Sequence, residues 1–165
     1  KTPQQHPPFS RVSRIAGNCW GSVIITDSAI SGNSAFNGGG ICNIGRTLEG
    51  SLTIADSVIY GNLALGGCGG GILQGDGERG SGPMTISGST ICDNAAHYGG
   101  GVFTWVRNSQ TIVRSTIARN VAGAAGGGIY ALPVYGEVFY RLRIRRSRAT
   151  RRTKQEAVFS MNTAI

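Results

Sequence analysis

Four times this chain repeats Ser-x-Ile-x-x-Asn, followed five to seven residues later by three glycines and an aliphatic residue. The asparagines are Asn33, Asn62, Asn94 and Asn120, spaced 29, 32 and 26 residues apart. The matching triplets are Gly38, Gly39 and Gly40; Gly69, Gly70 and Gly71; Gly99, Gly100 and Gly101; Gly126, Gly127 and Gly128. A recurrence of this length marks a solenoid, in which each repeat is one coil that cannot bury its apolar side alone.

Aligning the copies on Asn gives columns of uniform chemistry. Eight residues earlier stand Ile25, Ile54, Ile86 and Ile112; three earlier, Ile30, Ile59, Ile91 and Ile117; two later, Ala35, Ala64, Ala96 and Ala122. Short β-branched runs bounded by Gly, Asn, Asp and Ser are strand signals, and no helical period competes with them. The expectation is an all-β chain, a single-stranded parallel β-helix of about four coils. Its parts are an irregular segment 1–18, coils over 19–131 and a non-repeat basic tail 132–165. Stacked coils rise about 4.8 Å each, so the aliphatic columns become internal ladders. The Asn column suits a corner, because Asn tolerates αL and its amide can bond the next Asn. The glycines suit a second corner, where φ is positive or backbones approach closely. A phosphate-cradling loop would need a following helix, and none is signalled, so both columns read as turns and no cofactor is expected.

From about Ile24 to Tyr130 these residues resemble the right-handed parallel β-helix repeats of bacterial surface and secreted proteins, including those of the polymorphic outer-membrane proteins. The resemblance implies right-handed coils, an extracellular or outer-membrane setting, and a structural or adhesive role toward polysaccharide or a host surface. The same fold serves pectin-degrading enzymes and tailspikes, so architecture does not fix activity. A polysaccharide lyase or glycoside hydrolase with its catalytic coils elsewhere is the alternative. Asn-Thr-Asp, paired Asp-Asp and Gly-His-Gly, the signatures of pectin depolymerases, do not occur here.

A formal charge of +8 invites a nucleic-acid reading, yet eight of the sixteen Lys and Arg lie between Arg141 and Lys154. Through Tyr140 eight basic residues face seven acidic ones, so the coils are near neutral and nucleic acid is not an expected partner. Such a like-charge run is expected to stay off the rod, disordered or loosely helical. It can also be an out-of-frame fifth coil. Codons rebuilt one base earlier allow Leu142 and Ser147 to become Ile, Thr150 to become Asn, Glu156, Ala157 and Val158 to become Gly, and Phe159 to become Ile. The new Asn would fall 30 residues after Asn120. Read in frame, the tail is a cationic arm for polyanions.

Few residues offer chemistry. Asp27 and Asp56 share a column in adjacent coils, close enough in register to act as paired carboxylates or to hold calcium, with Asp76 in a Gly-rich loop as a further calcium candidate. Their column continues as Gly88 and Arg114, and Asp before Ser at a strand corner is commonly a turn cap. Cys19, Cys42, Cys68 and Cys92 show no metal-ligand spacing. His6 and His97 assemble no Ser/His/Asp set in register. Phe103 and Trp105 are expected to face outward beside Tyr130, either as an exposed aromatic patch for a ligand or partner or packed beneath the loop or the displaced tail. No run of about 20 apolar residues signals a transmembrane helix. Lys1 in place of Met suggests a fragment, and solenoid ends without caps are expected to self-associate.

Overall fold

A computed structural model describes residues 10–12, 15–17, 22–44, 50–76, 82–106, 109–133 and 142–145. Ser10–Val12 (β1) and Ile15–Gly17 (β2) precede four successive coils. The first is Val23–Thr26 (β3), Ser28–Ser31 (β4), Ser34–Ala35 (β5) and Ile41–Asn43 (β6). The second is Leu52–Ala55 (β7), Val58–Tyr60 (β8), Leu63–Ala64 (β9) and Ile72–Gln74 (β10). Met84–Ser87 (β11), Thr90–Cys92 (β12), Ala95–Tyr98 (β13) and Val102–Val106 (β14) make the third. Gln110–Val113 (β15), Thr116–Ala118 (β16), Val121–Ala125 (β17) and Ile129–Pro133 (β18) make the fourth, and Leu142–Arg145 (β19) follows. Every pairing is parallel and joins one coil to the next, giving four sheets that enclose a rod: a parallel β-solenoid. Sheet 1 is β3–β7–β11–β15–β19, sheet 2 is β1–β4–β8–β12–β16, sheet 3 is β5–β9–β13–β17 and sheet 4 is β2–β6–β10–β14–β18.

The expected ladders form. Ile25, Ile54, Ile86 and Ile112 stack in sheet 1, and Ile30, Ile59, Ile91 and Ile117 in sheet 2, all buried. Ile41, Ile72, Val102 and Ile129, the aliphatic residues after the glycines, add a third ladder from sheet 4, and Leu52 and Met84 complete the core cluster. Strand alternation explains this, since residues two apart share a face and only every second side chain reaches the interior.

The strand stack runs past both expected boundaries. In segment 1–18, β1 pairs with β4 and β2 with β6, so Val12 falls in the Ile30 column and Ile15 in the Ile41 column. At the other end β19 pairs with β15, which corrects the expectation that the basic run stays off the rod for Leu142–Arg145. Alternation of apolar and cationic residues is a usable strand pattern despite the charge. The out-of-frame reading puts position 142 in the Ile112 column; in the frame as written Ile144 occupies it. The rest of the tail, 146–165, lies outside the described residues.

The corners differ from expectation in one respect. Left-handed backbone falls on the residue before each Asn, at Gly32, Gly61, Asp93 and Arg119 (φ 66, 61, 57 and 55°), and not on Asn itself. Asn spends its amide on the stack instead. Asn62 Nδ2 donates to Asn94 Oδ1 (2.9 Å) and to Ile30 O (3.0 Å), while the Asn62 N–H reaches the same Oδ1 (3.0 Å). Asn94 repeats the pattern with Asn120 Oδ1 and Ile59 O, and Asn33 joins from below through Asn62 Oδ1. The glycine corner interlocks with this ladder. Gly69 needs its positive φ of 70°, and a Cβ on Gly71 would stand 2.6 Å from Gly101 O and 3.1 Å from Asn94 Nδ2.

Candidate functional site

The corner between sheets 1 and 2 holds the Asp27–Asp56–Gly88–Arg114 column, all four with positive φ of 45 to 58°. Both aspartates are exposed. The turn is closed by the neighbouring serine, which corrects the capping role expected of Asp. Ser57 Oγ donates to Ala55 O (2.7 Å) and accepts the Ser28 N–H (3.1 Å); Ser28, Ser89 and Ser115 donate in the same way two residues back. Ser89 Oγ and Ser115 Oγ in turn accept the amides of Ser57 and Ser89. This serine ladder went unnoticed at the level of sequence, although Ser is invariant in all four repeats. Asp56 Oδ1 lies against Gly88, which leaves that carboxylate over a position with no side chain.

Asp76 is half-buried beside residues 77–81, which lie outside the described set. Among the described residues no three His, Cys, Asp or Glu side chains gather where they could hold a metal ion. The chelate-like pair that does form is Asp93 with Arg119, in the turn before Asn94 and Asn120. Arg119 Nε and Nη2 donate to Asp93 Oδ1 and Oδ2, each at 2.7 Å, coil to coil and in solvent. The guanidinium holds the Asp93 carboxyl below its ordinary range, and the contact is an ion pair rather than a reactive group.

Cysteine chemistry is muted. Among the described residues Cys42, Cys68 and Cys92 form no disulfide, and Cys19 lies outside them. Burial pushes the Cys68 and Cys92 thiols up, with Asp93 adding to the effect at Cys92, so neither is poised as a thiolate.

The outer side of sheet 4 is where the molecule departs from pure repetition. The longest links lie at the corner from sheet 4 back to sheet 1, at 44–51 and 75–83, with a short one at 107–109. The corner from sheet 3 to sheet 4 varies as well, from three residues to seven, whereas one or two residues join sheets 1 and 2. Aromatic rings gather at the glycine corner between sheets 3 and 4 in the third and fourth coils. Phe103 lies 5.4 Å from Trp105, edge to face, and 5.5 Å from Tyr130; Tyr98 lies 5.5 Å from Tyr130 and 4.6 Å from His97. Of the two expected states Phe103 is packed and not exposed, because that ring is 1% exposed. Alternation points it away from the core cluster, but its neighbours cover it. Phe103 is therefore the floor of a shelf whose partly open rings are Trp105, Tyr130 and Tyr98. Tyr98 was not expected; the signal is its place just before Gly99, within a strand of Tyr130.

Inside the corner from sheet 4 to sheet 1 runs a polar file. Asn43, Gln74 and Thr104 stack in register on the inner side of sheet 4 and are almost wholly buried. Asn43 Nδ2 donates to Gln74 Oε1 (2.8 Å), and Gln74 Nε2 and Gln110 Nε2 both approach Gly82 O (3.4 and 3.3 Å). Asn43 Oδ1 and Thr104 Oγ1 have no protein partner, so this end of the interior is the polar one. The column two residues after the post-glycine aliphatic residue shows this in the sequence.

No helix among the described residues is long and apolar enough to cross a membrane. No protein-family profile, no curated protein and no solved structure matches the chain.

Proposed function

We propose that the chain is a non-catalytic display rod of a bacterial surface or secreted protein, structural or adhesive in role, that meets polysaccharide or a host surface through the outer side of sheet 4. The observation that supports this is the Phe103-floored aromatic shelf on the outer side of sheet 4, the sheet flanked by the two corners whose links vary in length. A repeat scaffold that varies its links around one sheet leaves the constant corners to stability and that sheet to recognition. Aromatic faces set on a rigid support suit the apolar faces of sugar rings, and the polar tips of Tyr and Trp suit their hydroxyls.

Binding to a panel of soluble and insoluble polysaccharides, read by isothermal calorimetry and pull-down, tests the reading. Trp105→Ala and Tyr130→Ala are expected to weaken binding by about tenfold or more, since anchoring aromatic truncations cost on the order of 2 kcal/mol. Binding unaffected by both substitutions, or no binding to any glycan, would sink it.

A second reading, polyanion binding by the tail, draws on the register of β19, which sets Arg143 and Arg145 above Thr111 and Val113 on the rod. Heparin binding that weakens steeply with salt and vanishes on truncation after Tyr140 is its signature.

A further inference from the structure

The polar file at the corner from sheet 4 to sheet 1 is bonded through its middle and open at its ends. Its column reads Gly17, Asn43, Gln74, Thr104 and Ala131, coil by coil. In the middle Gln74 Oε1 accepts from Asn43 Nδ2, and Gly82 O takes the Nε2 groups of Gln74 and Gln110 from the coils on either side. Asn43 thus spends its amide nitrogen toward Gln74, and its Oδ1 has no hydrogen-bond partner in the protein; Thr104 Oγ1 has none either. The residues are 3% and 0% exposed, so bulk solvent does not reach them.

The taper of the column makes room where these oxygens are. Gln74 carries its longest side chain, and Thr104 stops where a glutamine still has its amide to come. Beyond Thr104 the column falls to Ala131, and beyond Asn43 it falls to Gly17, which has no side chain. At the Thr104 end the wall also turns polar. The facing sheet 1 column runs Leu52, Met84 and then Gln110, all buried, so an amide replaces an apolar chain in the coil that follows Thr104.

We propose that a buried water molecule closes each end of the file, one donating to Asn43 Oδ1 and the other bonded to Thr104 Oγ1. Interior waters bind where a polar recess holds groups that the protein leaves unsatisfied, and each typically makes about three hydrogen bonds there. A buried oxygen without a partner is costly, a carbonyl can only accept, and a hydroxyl can donate to or accept from the same water. A cation is the wrong occupant. β6, β10 and β14 supply no carboxylate, and Gly82 O already receives two donors, so a buried charge would meet too few free oxygens. Hydration also suits this corner to the long links 44–51 and 75–83, whose backbone groups need partners wherever they turn inward. None of this depends on what sheet 4 meets outside.

Nuclear Overhauser contacts to water, read on the whole isotope-labelled chain, are the direct test. The Thr104 methyl and the Asn43 side-chain amide are expected to show contacts with the sign of a long-lived bound water, opposite to that of surface hydration. Thr104→Val gives a second readout, because it keeps the shape of the side chain and removes the hydroxyl. With water held there, the folding constant measured by urea unfolding is expected to fall by about tenfold, since a hydrogen bond is lost and the water is stranded. A hydroxyl with no water predicts the opposite sign. The contacts at Asn43 are expected to survive Thr104→Val, because the file separates the two ends. Long-lived contacts at neither residue overturn the proposal, as does a Thr104→Val chain more stable than its parent. So does stability that climbs with potassium or calcium at fixed ionic strength, the mark of an ion in place of water.

Discussion

Asn94 shows how much one polar side chain does in this rod. It is fully buried, its Oδ1 accepts both the main-chain and the side-chain N–H of Asn62, and its Nδ2 caps Ile59 O. Asn94→Ala therefore strands two donors of Asn62 and one carbonyl, where each buried orphan costs about 1–3 kcal/mol. The expected loss in urea unfolding is about 3 kcal/mol or more, against about 1 kcal/mol for Asn33→Ala, whose half-buried side chain serves the end of the ladder. Equal losses at the two sites would mean that the ladder contributes nothing beyond a local turn. The Asn and Gly columns were legible because the same residue recurs in every coil. The left-handed position before Asn was not, because Gly32, Gly61, Asp93 and Arg119 share a backbone conformation and no side-chain chemistry. In the later coils, where Gly gives way, the cross-coil Asp93–Arg119 pair offsets some of the αL cost.

Among the strands, β19 and β14 mark where pattern reading needed the neighbouring coil. Charge density alone assigns Leu142–Arg145 to a solvated tail, whereas stacking offers it a ready template in β15, with Leu142 over Gln110 and Ile144 over Ile112. An unpaired edge captures any segment of matching alternation and reach. Hydrogen–deuterium exchange is therefore expected to show slowed amides across Leu142–Arg145, and Ile144→Asp to abolish the protection by setting a charge in register with the buried Ile112. Amides as fast as a free peptide in the unmodified chain would return the segment to the tail. For β14 the alternation was legible, with Val102 inward and Phe103 outward, but outward did not mean exposed. Exposure depends on Trp105, two residues along the same strand, and on Tyr130, which only the stacked coil brings within ring contact of Phe103. Asp27 and Asp56 share a column that continues as Gly88 and Arg114, so among the described residues it gathers no third metal ligand.

At the scale of the molecule, every strand pairs only with its counterpart in the adjacent coil, so stability is a sum of coil and neighbour-interface terms along one axis. That predicts a graded response to damage, unlike the uniform response of a globular core. Ile91 in the third coil is fully buried between Ile59 and Ile117 and belongs to the single core cluster. Ile91→Ala removes its share of both interfaces, a change that costs about 3 kcal/mol for a buried isoleucine and leaves a cavity the rigid ladder cannot close. Once the third coil is weakened, the fourth loses the surface it stacks on, while the first still rests against the second. Native-state hydrogen exchange in the Ile91→Ala protein should accordingly show β11–β13 and β15–β17 opening roughly a hundredfold more readily, the equivalent of about 3 kcal/mol, with β3–β5 changed by less than about tenfold. The same factor at every protected amide would show one cooperative unit, and the nearest-neighbour account of this rod would fail.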